Sequence, residues 1–363
     1  MTCAAPLCAT YTLRILDRST GYTVAEFGVG DKWFAEATRR ENFPSNILVT
    51  GSQDGETAIG ECCSVFLREW CYLIELWRGD CKWGCWVYTG TNSEGAWLGV
   101  SLMALALLRP WSTTGTFTRS TTKMFELLLA EADRYSPLGI GLQPVPISVD
   151  VTVEAEKGEP LSMAFEQLQT GTLEWTEYFN TPYCSTVRFG EIAYDARHTL
   201  RAADWAEPVK RVATDGTLLA SYVRVKSSVT ETADDGTETT TDLVAHYPPA
   251  DADGCPPRGS QKEWIPAYLE VEGLVDQNEA DAVAKRAWEK RQNANFIETP
   301  DSGLSKRSKL CVCDLYPGAV FPANIDTVEC GTVTEDFRLS EFKVLVTNGK
   351  ETGAAPTLVG GQA

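Results

Sequence analysis

The chain has 363 residues, of which 43% are hydrophobic and 23% charged, so it is able to bury a sizeable core and its composition excludes a wholly disordered protein. Its length predicts two or three domains of ordinary size. The formal net charge of −18 repels phosphate groups and anionic lipids, which argues against a nucleic-acid-binding or membrane-surface protein.

Twelve cysteines are spread along the chain, beginning at Cys3 and Cys8. The opening residues MTCAAPLCAT lack the basic and apolar regions of a secretory signal, which favours folding in a reducing cytosol where cysteine behaves as a small hydrophobic residue. Metal sites need repeated C-x-x-C pairs or nearby histidines. This chain has two histidines and the spacings CC, C-x-C and C-x-x-x-C. We therefore predict buried or incidental thiols, no metal and no cofactor, and leave open whether any cysteines pair.

Residues 71–111 have the pattern of a β-meander rich in aromatic side chains. Leu73–Trp77 is a run of β-forming residues, Arg78-Gly79-Asp80 supplies a turn, and WGCWVYTG is the returning strand. The segment AWLGVSLMALALL predicts the next strand or a strand–helix junction. We interpret the Arg-Gly-Asp tripeptide as a turn rather than an adhesion motif. The apolar patch Ala96–Leu108 is too short to cross a bilayer and predicts buried core, so we expect no membrane-spanning segment.

The next segment predicts a small α/β unit. STTGTFTRSTT is a Ser/Thr-rich connector, and TKMFELLLAEADRY is a helix that ends at Ser136-Pro137. Alternating apolar residues from Ile147 to Val153 predict a strand. A second helix over PLSMAFEQLQTG and a strand over TLEWTEYF complete the unit.

A long hairpin is predicted over residues 218–247, with Asp235-Gly236 at its tip. Its outer half is polar on both faces, which fits either a loose surface loop or a protruding arm that touches a neighbouring subunit. Asp276 and Glu279 have the spacing of a helix N-cap. They predict an amphipathic helix over 277–292, with its apolar side chains on one face.

The rest of the chain predicts strands, with Pro317-Gly318 as a turn between two of them. Alternation in SKLCVCDL places Cys311 and Cys313 on one face of such a strand. The last residues, GAAPTLVGGQA, are predicted to be mobile.

Motifs for common enzyme chemistry are missing from the sequence. His198 has no serine-nucleophile motif beside it, and GIGLQP at Gly139 lacks the third glycine and the following helix of a dinucleotide fingerprint. Paired carboxylates are too common in this acidic chain for a glycosidase pair to be excluded by counting. We predict that the protein is not an enzyme and assign no catalytic, cofactor-binding or metal-binding residue. Its tryptophans leave a carbohydrate-binding or receptor-binding module as the alternative, since aromatic faces stack on sugars.

Four short motifs, taken in order, resemble the first barrel of the phage tail hub (baseplate hub-like) family, the minor tail proteins of long-tailed, non-contractile phages. They are NILVTG at Asn46–Gly51, LWRGD at Leu76–Asp80, WGCWV at Trp83–Val87 and LALLRPW at Leu105–Trp111. The chain departs from the family pattern at Cys85, where proline is common, and lacks an Asp before the final Leu-Leu-Arg. The segment LYPGAVF from Leu315 is similar to the second barrel.

The resemblance implies a mainly β (α+β) fold with two tail-tube-like β-barrel domains joined by a small α/β domain. The first barrel takes residues 1–112, the α/β domain 113–186, and the second barrel 187–363 with the long hairpin and the helix. It implies a structural virion protein, a homotrimeric hub at the distal tail tip that adapts the hexameric tube to threefold symmetry. The implied neighbours are the distal tail protein, the tape measure protein and other tail-tip proteins. DNA would pass through the channel without specific binding, and the chain would fold in the host cytoplasm before assembly.

Overall fold

The structure is a computed structural model with an atomic description of most of the chain. It describes residues 5–51, 67–144, 150–170, 173–179, 184–190, 192–209, 212–214, 220–232, 238–249, 266–271, 274, 276–292, 295–297, 303–329 and 331–360. Within these residues no helix is long and apolar enough to cross a bilayer.

The described part of the N-terminal third of the chain contains seven strands and a short helix. In order they are β1 (Tyr11–Asp17), β2 (Thr23–Phe27), β3 (Trp33–Arg40), β4 (Asn46–Gly51), β5 (Tyr72–Arg78), β6 (Cys81–Thr91), β7 (Trp97–Val100) and α1 (Leu102–Leu108). β5 and β6 form an antiparallel hairpin around Gly79-Asp80, so the Arg-Gly-Asp tripeptide is the predicted turn. The strand–helix junction after Ala96 is also confirmed.

The middle of the chain packs two helices against short sheets. Its elements are β8 (Gly115–Ser120), α2 (Thr121–Asp133), β9 (Ile140–Pro144), β10 (Asp150–Ala155), α3 (Leu161–Thr170), β11 (Glu174–Tyr178) and β12 (Ser185–Gly190). β8 pairs with β10, and β12 lies between β11 and β9. The predicted helices are confirmed, and their apolar faces meet in one core where the rings of Phe125 and Phe189 stack.

The C-terminal part is again mostly strands. They are β13 (Tyr194–Asp195), β14 (Leu200–Arg201), β15 (Val212–Thr214), β16 (Tyr222–Thr232), β17 (Glu238–Tyr247), β18 (Pro266–Glu270), then helix α4 (Gln277–Gln292), and β19 (Asn295–Ile297), β20 (Ala319–Thr327), β21 (Gly331–Val333), β22 (Asp336–Thr347) and β23 (Lys350–Gly360). Short 3-10 turns occupy Ala202–Asp204 and Val312–Asp314.

One 15-stranded sheet joins the two ends of the chain. Its main path runs β15-β19-β23-β22-β3-β4-β7-β6-β5-β1-β2, and β22 pairs with β3 along seven residues from Glu341 to Thr347. The mainly β prediction is confirmed. Across the described strands, however, no sheet closes into a barrel, so the predicted arrangement of two barrels and an α/β domain is not confirmed. The boundaries at residues 112 and 186 stay a prediction.

The WGCWV motif is explained by close packing inside this sheet. Trp83, Trp86 and Trp97 are fully buried, and an added Cβ at Gly84 would come within 1.9 Å of the Trp86 ring. Only glycine leaves room for the indole to lie over the neighbouring backbone at this point. The motif therefore fixes how a large aromatic side chain fills the core, rather than forming a binding surface.

The predicted long hairpin and helix form a separate small layer. β16 and β17 are antiparallel, β18 adds a parallel strand, and α4 covers one face of the three. The N-cap is confirmed, since the Glu279 backbone N–H donates to Asp276 Oδ1 at 2.8 Å. The apolar helix face buries Ala280, Val283 and Ala284. The hairpin tip at Asp235-Gly236 lies outside the described residues.

Three local predictions were wrong. The Ser/Thr-rich connector contains strand β8, whose partner β10 lies well beyond the intervening helix. Cys311 directly precedes a 3-10 turn and Cys313 lies within it, so neither cysteine is on a strand. The tail predicted to be mobile contributes β23, which pairs with β22 on one side and β19 on the other. Asn348-Gly349, at φ of 52° and 75°, makes the tight hairpin turn before it, and this Asn-Gly pair was the available sequence signal.

The sequence favoured buried or incidental thiols and left open whether any cysteines pair, and two of them form a disulfide. Cys85 in β6 is bonded to Cys184, just before β12, and Cys311 is disulfide-bonded as well. The Cys85–Cys184 bond links the main sheet to the α/β unit. Sequence spacing gave no sign of it, because the two residues are 99 positions apart and only the fold brings them together.

The position of β23 predicts a sharp difference between two truncations. A chain that ends at Gly349 loses the strand that covers β22 and should be insoluble or bind hydrophobic dyes, because buried side chains such as Ala354 and Leu358 are removed from the core. A chain that ends at Gly360 keeps the strand and should unfold at the same urea concentration as the full chain. Equal behaviour of the two truncations would show that β23 is dispensable.

Candidate assembly surface

No catalytic, cofactor or metal residue was predicted, and in the part of the chain that the structure describes no group of three or more His, Cys, Asp or Glu side chains is placed to hold a metal ion.

The most enzyme-like cluster is His198, Asp204 and Ser308. His198 Nε2 lies 2.9 Å from Asp204 Oδ2, and the Ser308 hydroxyl donates to Asp204 Oδ1 at 2.7 Å. The serine thus faces the carboxylate and not the imidazole, so this geometry does not make the histidine its base. Asp204 instead ties the 3-10 turn to the loop at Ser308.

A buried ion pair joins β5 to β23, the last strand of the chain. Glu351 accepts from Arg78 Nε at 2.8 Å, from the Tyr11 hydroxyl at 2.8 Å and from the Leu7 backbone N–H at 2.6 Å. The side chains of Arg78 and Glu351 are 2% and 0% exposed. Burial by itself lowers the pKa of Arg78, but the hydrogen bond and charge of Glu351 outweigh it and raise that pKa. Burial also raises the pKa of Tyr11, so the tyrosine stays a neutral donor.

A second buried cation holds three segments together. Arg39, on β3, donates to the carbonyl of Leu315 at 2.7 Å and to that of Trp83. Its guanidinium lies 4.1 Å from the Trp83 ring centroid and 4.2 Å from that of Tyr316. Backbone carbonyls and aromatic faces therefore replace the water that this buried charge has lost.

Polar contacts also attach the α/β unit to the main sheet. Arg338, on β22, donates to both Glu41 and Glu174 at 2.6 Å. Glu177 on β11 accepts from the backbone N–H and hydroxyl of Ser45 at 2.9 and 2.8 Å. Burial raises the pKa of Glu177, and the hydrogen bonds from Ser45 oppose that shift. With the Cys85–Cys184 bond, these contacts make the junction stiff.

The first hairpin presents an exposed strand at one end of the described path of the main sheet. β2 ends the strand order and pairs with β1. Tyr22, Val24 and Val29, in and beside β2, are 76%, 54% and 53% exposed. We call residues 22–29 the edge strand surface. An edge strand with exposed apolar side chains is a template for pairing with another chain.

The tryptophans are mostly structural. Six of them, Trp33, Trp83, Trp86, Trp97, Trp111 and Trp175, are at most 2% exposed. Among the described tryptophans Trp70 has the most exposed ring, at 44%, while the Trp77 ring is partly covered by the Arg14 guanidinium at 4.9 Å. In the described part of the chain we therefore find no row of open indole faces of the kind that stacks on sugars.

Comparison with known proteins matches this chain to no family model and to no curated protein. Solved structures do share its fold. The prophage tail protein gp18 from Listeria monocytogenes EGD-e is 10% identical, with a TM-score of 0.56 over 97% of this chain and 94% of that one. The 43 kDa tail protein of prophage MuSo2 from Shewanella oneidensis is 12% identical, with a TM-score of 0.57 over 97% and 98%. A tail protein from Neisseria meningitidis MC58 is 9% identical, with a TM-score of 0.56 over 97% of each chain.

The resemblance to phage tail proteins that was drawn from four short motifs is thus confirmed at the level of the fold. The likeness spans nearly the whole of this chain and of each of the three tail proteins. Sequence reasoning missed the buried polar residues that hold the fold, Arg39, Arg78 and Glu351. Their signal was weak, because single charged residues in strands also occur on solvated faces.

The buried pair predicts a large and specific loss of stability. Glu351→Ala leaves the Arg78 charge in the interior and should lower the free energy of unfolding by about 3–5 kcal/mol. The matched control is Glu26→Ala, which breaks the exposed Arg14–Glu26 pair at 2.8 Å and should cost at most about 1 kcal/mol. Urea titrations followed by tryptophan fluorescence measure both. Similar losses in the two variants would mean that the interior pair has no special role.

Proposed function

We propose that this chain is a structural protein of a bacteriophage tail. The observation that carries the proposal is the fold it shares with three tail proteins, two of them from prophages, which covers 97% of this chain in each comparison. The interior agrees with a building block: its charged side chains bind other parts of the same fold, as Arg39, Arg78 and Glu351 do. A protein that holds partners needs stiff β-layers and exposed strand edges, and both are present.

Within that role we propose the hub at the distal tip of the tail. Three copies would form a ring that adapts the hexameric tube to a threefold tip, beside the distal tail protein, the tape measure protein and other tail-tip proteins. The chain would fold in the host cytoplasm and then join the virion. The resemblance of the ordered motifs supports this position, and so does a sheet long enough to form a wall of a tube.

The edge strand surface is the contact that we propose between copies. β2 ends the described path of the main sheet, and its apolar side chains are exposed in the single chain. Pairing this edge with a neighbour would satisfy backbone groups and cover Val24, which is how closed rings remove sheet edges. The arm formed by β16 and β17 is a second surface available to a neighbour.

A carbohydrate-binding or receptor-binding module is the alternative function. It was suggested by the number of tryptophans, but the packing of six of them inside the cores weakens that argument. A monomeric protein with clear affinity on a glycan array would favour this alternative over the hub.

The hub proposal predicts a trimer of three times 39.8 kDa, or 119.4 kDa. Sedimentation of the purified chain should show this mass at micromolar concentration. Val24→Lys places a charge on the edge strand and should shift the protein toward the monomer, while Leu108→Lys, at a side chain that is 70% exposed on α1, should leave the mass unchanged. Circular dichroism confirms that both variants are folded. A monomeric parent protein would contradict the ring, and a trimer that tolerates Val24→Lys would contradict the edge contact alone.

The charge of the chain predicts an acidic channel. Three copies carry three times −18, or −54, and we expect the carboxylates to be divided between the outer surface and the channel wall. Phosphate groups of passing DNA would then be repelled and would not adhere. The alternative is a neutral channel wall, with the carboxylates on the outer surface only, where they keep the protein in solution. An electron-microscopy map of the ring decides: Lys and Arg that equal or outnumber Asp and Glu near the threefold axis would refute the non-adhesive channel.

A further inference from the structure

Two thiols from opposite ends of the chain meet beside the buried ion pair. Cys81 is the first residue of β6, and Cys313 lies in the 3-10 turn Val312–Asp314. Neither is in a disulfide, and Cys81 lies close enough to Cys313 to lower the pKa of the Cys313 thiol. Cys81 is buried, at 7% exposure, whereas Cys313 is partly open to solvent. An incoming reagent therefore reaches Cys313 first.

Arg39 holds the two segments side by side. The carbonyls that it binds belong to Trp83 and Leu315, which each follow one of the cysteines by two residues. The same guanidinium lies between the Trp83 and Tyr316 rings. The contact between the thiols is therefore built into the fold and does not depend on the chance meeting of two flexible side chains.

The surroundings favour the ionised form of Cys313. The hydrogen bond from Cys81 and the charges of Arg78 and Arg39 lower the pKa of this thiol to about 7, although burial acts in the opposite direction. Glu351 and Tyr11 are the other described ionisable groups bonded in this cluster, since Glu351 accepts from both Arg78 and Tyr11. The thiolate is the attacking form in disulfide exchange, so a lowered pKa of Cys313 favours its reaction at neutral pH.

We propose that Cys81 and Cys313 are a redox-active dithiol that closes to a disulfide when the protein meets a small-molecule disulfide such as oxidised glutathione. The Cys313 thiolate attacks one glutathione sulfur, which forms a mixed disulfide and releases one glutathione thiolate. The Cys81 thiol then loses its proton to solvent, and its sulfur attacks Cys313 Sγ and displaces the second glutathione. Two thiols and one disulfide thus become one protein disulfide and two glutathione molecules.

The cross-link would join the first strands of the chain to the segment that precedes β20. This bond would form only where an oxidant such as a small-molecule disulfide is present, and it would lie next to the ion pair between Arg78 and Glu351. The inference rests on the thiol geometry and does not require the proposed tail function.

The test uses the full-length purified chain. It is treated with oxidised glutathione, remaining thiols are blocked with N-ethylmaleimide, and peptides are mapped without reduction by fragmentation that separates Cys311 from Cys313. The expected product is a Cys81–Cys313 link in most molecules. Its rate of formation should rise about tenfold from pH 6 to pH 8 and then level off, as the thiolate fraction of a group with this pKa does.

Variants separate the two steps. Cys81→Ala should stop the link but leave Cys313 carrying one glutathione, whereas Cys313→Ala should leave Cys81 unmodified. Cys71→Ser removes an exposed thiol outside the pair and should form the link at the parent rate. Cys313 joined to any cysteine other than Cys81, or a pair that stays reduced while Cys8 and Cys71 acquire glutathione, would overturn the proposal.

Discussion

In the interior of the main sheet, the Glu351 carboxylate accepts hydrogen bonds from the Arg78 guanidinium, the Tyr11 hydroxyl and the Leu7 backbone N–H. Its partner Arg78 closes β5, and Glu351 itself opens the last strand. Both charges have left water, which costs several kcal/mol for each ion unless its partner is present. A fold in which β23 is misplaced, or in which β1 and β5 slip in register, leaves one of the charges unpaired. The sheet can therefore form without an unpaired buried charge only when β5 and β23 are brought together. This holds whatever the net contribution of the ion pair to the free energy of unfolding.

Around that pair, buried polar groups are concentrated where segments distant in sequence meet. Arg39 binds carbonyls from β6 and from the segment before β20, and Arg338 links β22 to β11 and the loop at Glu41. Apolar packing stabilises the layers but does not by itself choose one alignment among similar ones. Directional hydrogen bonds to buried charges do make that choice, because each misalignment leaves a desolvated group without a partner.

Two features of the surface are suited to contact with a neighbouring chain. A sheet that ends in the exposed strand β2, and a hairpin arm with its own helix-covered core, are features that a neighbouring chain would cover. The net charge of −18 opposes random association between copies of the chain.

The sequence by itself determined the local elements and the class of the fold. Helical periodicity predicted α2, α3 and α4, the Gly79-Asp80 turn and the long hairpin followed from turn chemistry, and four ordered motifs pointed to the fold that phage tail proteins share. Each of these signals is carried by residues close together in the chain. Only the tertiary structure decided that β8 and β23 are strands, that Cys85 meets Cys184, and that Arg78 meets Glu351. β23 is rich in Gly and Ala and contains a Pro, so its intrinsic preference for a strand is weak. Both β8 and β23 form because a partner distant in sequence supplies the hydrogen bonds and the buried face. Disulfides and buried ion pairs depend in the same way on which distant segments become neighbours, and local sequence pattern does not contain that information.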